Sequence, residues 1–194
     1  MNRFALVYVC ALILGIMFKG MAGEGAPDAA MAAAMEKMKP GKEHEGLKKL
    51  EGVYDVAVKM FMEAGKPPVE SKGAAEFKMT MNGRWLKQEY KGEMMGQPFT
   101  GTGYDGYDRV TGKYVGVWMD DFSTQMMHSV GTSKDGGKTI EYTGEQGDCM
   151  QEGKIVKTKQ VHKTVSDDQF IFEMYHTADG KEIKDMELVY TRKK

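Results

Sequence analysis

Between Asn82 and Asp121 the chain reads as three consecutive antiparallel strands, and this meander commits it to an all-β fold. Asn82-Gly83 is a two-residue hairpin signal, because both central positions of the favoured turn need positive φ and these two residues tolerate it. A second turn is expected near Gly96-Gln97-Pro98 and a third over Asp108–Gly112, with strand-forming Tyr and Trp residues on either side.

From Gly52 onward charged residues recur with period two, so they mark the outer face of each strand and identify the inner one. Asp55 and Lys59 point out, leaving Tyr54, Val56, Val58, Met60 and Met62 inside. After Pro67-Pro68, Glu70, Lys72, Glu76 and Lys78 point out, which turns Val69, Ser71, Gly73, Ala75, Phe77, Met79 and Met81 in. Lys87, Glu89 and Lys91 likewise leave Leu86, Gln88 and Tyr90 inside. Further strands are predicted over residues 124–132, 138–145, 154–165, 169–177 and 182–192, parted by turn residues such as Asp135-Gly136-Gly137 and Asp179-Gly180.

Nine or ten short strands joined by hairpins suit an antiparallel up-and-down β-barrel, because closure removes the exposed edges; a two-sheet sandwich is the alternative. The inner faces are not uniformly apolar. Lys157, Lys159 and Lys163 turn Val156, Thr158, Gln160, His162 and Thr164 inward, and Glu173 turns Phe170, Phe172, Met174 and His176 inward. Each buried polar group without a partner costs about 1–3 kcal/mol, so these side chains are expected to share an internal cavity. The candidate ligand site is therefore Phe77, Met79, Gln88, Tyr90, Trp118, Thr158, Gln160, His162, Met174 and His176, with Trp118 on a strand where Lys113 and Asp120 give conflicting parity.

At the N-terminus, Arg3 precedes an apolar run from Phe4 to Phe18, followed by small residues at Gly20, Ala22 and Gly23. This reads as a signal peptide (residues 1–22) cleaved after Ala22, since the run is shorter than the roughly 20 residues that span a bilayer. Export to the periplasm or medium is expected, with no membrane span after cleavage. The 172 residues left of 194 suit one domain. Residues 23–42 read as a flexible Ala/Met-rich leader, in which Asp28 caps a short helix ended by Pro40-Gly41. A second short helix over Glu43–Leu50 leads into the barrel domain, residues 43–194, with His44 at its rim. Lys and Arg (27) balance Asp and Glu (28), so no basic field is available for nucleic acid. Cys149 is the one cysteine outside the leader peptide, so no intrachain disulfide can form in the mature chain; it is expected to be a buried small residue or a spare thiol.

Several motifs occur in order: His44-x-x-Leu47-x-x-Leu50-x-Gly52-x-Tyr54, Gly83-Arg84-Trp85-Leu86-x-Gln88-Glu89-Tyr90-x-Gly92, Met95-Gly96-Gln97-Pro98-Phe99, Gly106-Tyr107-Asp108 and Tyr114-Val115-Gly116-x-Trp118. In these the chain resembles the bacterial domain-of-unknown-function family 1579 over roughly Glu43–Lys194. The resemblance implies a calycin, lipocalin-like barrel and a ligand-holding scaffold, and carries no activity. Where lipocalins place Gly-x-Trp, this chain has Gly52-Val53-Tyr54. It also implies that a basic residue of the last strand, here Arg192, packs across the first-strand aromatic Tyr54 as a cation–π pair worth about 0.5–2 kcal/mol.

No Gly-x-Ser-x-Gly elbow, His-Glu-x-x-His, phosphate loop or Cys-x-x-Cys is present, and an enzyme is not the expected class. Asp120-Asp121 and Asp167-Asp168 read as solvated turns. Met60 with Met62, Met79 with Met81, and Met126-Met127-His128 offer thioether and imidazole ligands of the kind that suit Cu(I). Haem through His162 or His176 is a related possibility. The leading expectation is a non-enzymatic barrel binding a small hydrophobic or amphipathic molecule, with a haem- or copper-binding protein as the alternative.

Overall fold

The computed structural model describes residues 28–63, 65–149 and 151–194. The signal peptide and cleavage site expected from the sequence fall outside the described residues. Ten strands follow one another: β1 (Gly52–Met60), β2 (Val69–Thr80), β3 (Trp85–Met94), β4 (Gln97–Asp108), β5 (Lys113–Asp120), β6 (Met127–Thr132), β7 (Thr139–Gly147), β8 (Ile155–Ser166), β9 (Gln169–Ala178) and β10 (Lys181–Arg192). Each pairs with its neighbours, and β10 returns to β1 with Tyr54 opposite Arg192 and Met60 opposite Met186, closing the barrel. Among the described residues two helices precede them, α1 (Ala29–Lys37) and α2 (Lys42–Lys48). The Asp28 carboxylate accepts the Met31 N–H at 2.7 Å, the cap expected for α1. The chain divides into two compact units at Glu36 and Lys37, and the barrel with α2 belongs to the second. No helix among the described residues is long and apolar enough to cross a membrane.

The turns differ in detail from the sequence reading. Asn82 and Gly83 do adopt positive φ, but so does Met81, and the pairing of Thr80 with Trp85 leaves a four-residue loop rather than a two-residue one. The tight two-residue turn is the next one, Met95-Gly96, both with positive φ, set between paired Met94 and Gln97. β6 starts at Met127 rather than Thr124. Upstream, Asp120 accepts the N–H groups of Phe122 and Ser123, and the Gln125 side chain bonds the backbone of Gly147 in both directions, so the backbone is satisfied by turn contacts instead of a ladder.

One end of the barrel is a closed floor. Tyr54, Phe77, Phe170 and Tyr190 are all buried there; Phe170 stacks on Tyr190 at 4.3 Å and the other rings meet edge to face. The helix α2 covers this end, burying Leu47 and His44. His44, expected at a rim, is 5 % exposed: its Nδ1 accepts the Gly41 N–H at 3.0 Å, and burial lowers its pKa. Arg192 lies 4.9 Å over the Tyr54 ring and donates to the carbonyls of Lys49 and Glu51, the cation–π closure expected from the resemblance. Gly52 has φ +143°, and a Cβ there would collide with Arg192 Nη1, so only glycine passes under the guanidinium.

Candidate ligand cavity

Above the aromatic floor the barrel is open inside, around a cavity of about 290 Å³. The aromatic rings of Phe77 and Phe170 separate it from α2, and Met60, Met94, Met127, Met174 and Met186 line it toward the opposite end. The space exists because inward positions of the middle strands are glycines. Gly101 and Gly103 on β4 support the flat of the Trp118 indole from β5, and a Cβ at Gly101 would run into that ring. Gly73 and Gly92 are held under the Tyr90 hydroxyl in the same way. Large rings therefore lie against the wall instead of crossing the lumen.

The polar groups of the wall come from separate strands. Gln88 donates from Nε2 to the Tyr190 hydroxyl at 3.1 Å, which satisfies a buried pair just above the floor. On β4, Asp105 faces in and its Oδ1 accepts the Tyr142 hydroxyl of β7 at 3.2 Å. His162 on β8 packs between Tyr142 and Phe172, with ring centroids 5.1 and 5.0 Å away. Asp105 and His162 are half-buried, and both line the cavity. Burial raises the Asp105 pKa, an effect that His162 and the Tyr142 hydrogen bond partly offset. Burial lowers the His162 pKa, with Asp105 pulling the other way. Tyr142 is pushed up by burial first and by Asp105 second. Further along the wall Asp120 accepts the Trp118 Nε1–H at 2.9 Å.

Seven of the ten residues expected at the site meet on this cavity: Phe77, Gln88, Tyr90, Trp118, Gln160, His162 and Met174. Three do not. Met79 sits one inward position closer to the floor end than Phe77, packed on the core, with its N–H bonded to Glu51. Thr158 is buried against Gly144. His176 is drawn to the rim, where its Nδ1 lies 2.6 Å from Asp185 Oδ1, because a bulge between Lys184 and Met186 shifts the register of β10 and brings Asp185 beside it.

Residues not anticipated from the sequence are Asp105, Asp120, Ser129 and Gln146, all on the cavity wall. The signal for Asp105 was available: Phe99 is an inward apolar residue, and counting by twos from it reaches Asp105. Asp120, read as half of a solvated acidic doublet, faces in, while Asp121 points out and holds the Thr100 N–H and hydroxyl. The methionine pairs do not converge. Met62, Met81 and Met126 are exposed, and His128 is exposed on the strand face opposite Met127. Among the described residues no group of three or more His, Cys, Asp or Glu side chains is placed to hold a metal ion. Cys149 is exposed, which leaves the spare-thiol reading and excludes the buried one.

A family model described as "Protein of unknown function (DUF1579)" matches residues 39–192. No curated protein matches the chain. The crystal structure of Rv2717c from M. tuberculosis is similar, with 16% identity and TM-score 0.58 over 80% of this chain and all of that one. A redesigned β-barrel aligns over 77% of this chain and 96% of its own length at 15% identity and TM-score 0.40. At such identity the first likeness shows a shared fold.

Proposed function

The chain belongs to the family of unknown function DUF1579, and we propose that this member is an exported, non-enzymatic barrel that holds a small, partly apolar molecule in its lumen. The observation that carries the reading is the cavity itself: an apolar enclosure of about 290 Å³ with a few convergent polar groups, the usual make-up of a small-molecule site. A protein that needed a barrel only as a rigid body would fill that volume with side chains, because unfilled interior forfeits dispersion contacts. The export part of the proposal rests on the N-terminal sequence. N-terminal sequencing of the protein recovered from outside the cytoplasm should begin at Gly23.

Binding is tested with phenyl-naphthylamine, an uncharged fluorescent probe. His162→Phe should weaken probe binding several-fold, because it changes the wall. Lys159→Met should leave it unchanged, since Lys159 is tied outside to Glu182 at 2.9 Å. Equal effects of the two substitutions would sink the site. The second reading, haem or copper, is favoured by one observation: His162 shares the cavity with the thioethers of Met60, Met127, Met174 and Met186. A Soret band or stoichiometric copper in the purified protein would support it over the first.

A further inference from the structure

The cavity is charged in one sense. Glu93, Asp105 and Asp120 line it, and among the described residues no Lys or Arg does. The neighbouring lysines are held on the outer surface by ion pairs, Lys159 to Glu182, Lys184 to Glu173 and Glu187, and Lys87 to Glu89. Asp120 is already engaged by Trp118 and two backbone N–H groups. Asp105 is not: Tyr142 occupies one carboxyl oxygen, and the second has no hydrogen-bond partner among the described residues, while the side chain sits half-buried in the cavity wall. That oxygen opens on the cavity, where a ligand that donates to it or carries a positive charge meets it directly.

We infer that the lumen selects a small organic cation, an amine or quaternary ammonium with an apolar body, against an anion of the same shape. This rests on the ligand-cavity reading above and adds the charge of the ligand to it. In a low-dielectric enclosure an anion would face two inward carboxyls with no cation to meet it, which costs several times what the same approach costs in water. A cation finds Asp105 as its counter-charge and the rings of Trp118, Tyr90 and Phe172 as faces for cation–π contact. Burial raises the Asp105 pKa, and a bound cation would offset that shift by stabilising the carboxylate.

The test uses the full chain, with bound phenyl-naphthylamine displaced by three ligands that share one ring: benzyltrimethylammonium, benzyl alcohol and benzylsulfonate. The cation should displace the probe at concentrations about tenfold or more below the anion, with the alcohol between them. Asp105→Asn should bring cation and anion to within about threefold, and an unchanged far-UV circular dichroism spectrum with no loss in melting temperature shows that the barrel is intact. Asp120→Asn should narrow the preference less, since its charge is already shared among three donors. Probe binding with equal displacement by cation and anion would overturn the inference and leave the cavity reading standing. So would a cation preference that survives both substitutions. Failure of the uncharged probe to bind would instead overturn the cavity reading, and this inference with it.

Discussion

The two halves of the barrel are built from the same ten strands under the same alternation, yet one is packed and the other is hollow. At the floor the inward positions carry Tyr54, Phe77, Leu86, Phe170 and Tyr190, and these fill the cross-section down to α2. In the other half the inward positions carry glycines beneath Trp118 and Tyr90, and methionines beyond them. The difference shows that closure of a sheet does not decide whether its lumen is filled; the sizes of side chains at matched heights do. Stability should therefore concentrate at the floor, and binding in the hollow half.

The sharpest way to break this contrast is to truncate one side chain at each level. Phe77→Ala should cost about 3–5 kcal/mol in urea unfolding, whereas Met60→Ala, whose side chain already borders empty space, should cost about 1. Equal losses would mean that the hollow half is closed in solution. Next in size is the clasp across the floor. Arg192→Met removes charge-assisted bonds to the carbonyls of Lys49 and Glu51 and the contact with Tyr54, and should lower stability by about 2–3 kcal/mol with no change in probe affinity. In the hollow half, Gly101→Val should displace the Trp118 indole, shift its fluorescence and abolish probe binding, at about 1–3 kcal/mol of stability.

The smallest expected effect is a gain, and it is pH-dependent. The folded-state pKa of Asp105 is raised, so above that value the native state bears an ionised carboxyl it disfavours, and this penalty fades as pH falls toward the unfolded value near 3.8. Asp105→Asn should accordingly stabilise the protein near pH 7 by about 1 kcal/mol, and the gain should shrink on acidification. His162 has the opposite sign. Its folded pKa is lowered, so its contribution is present above the ordinary value of 6.5 and is lost as pH falls through the folded value. Thermal unfolding of His162→Phe between pH 7 and 5 should fall less steeply than that of the parent protein. A parallel slope would mean that the imidazole is not neutral in the barrel.

The sequence by itself determined the all-β class, the number of strands to within one, their borders to within a few residues, and the inward face of β1, β2, β3, β8 and β9. These follow from one local rule, that neighbouring side chains on a strand point to opposite faces, and charged residues mark the wet one. What parity does not carry is height along the barrel axis. Thr158 and His162 have the same parity on β8, yet His162 reaches the cavity and Thr158 is sealed against Gly144. A single bulge in β10 likewise sends His176 to Asp185 at the rim. Nor could spacing reveal that Asp105, Tyr142 and His162, on three strands far apart in the chain, converge at one level of the wall. That convergence depends on the stagger of each strand against the next, which accumulates around the closed sheet and exists only once β10 has paired with β1.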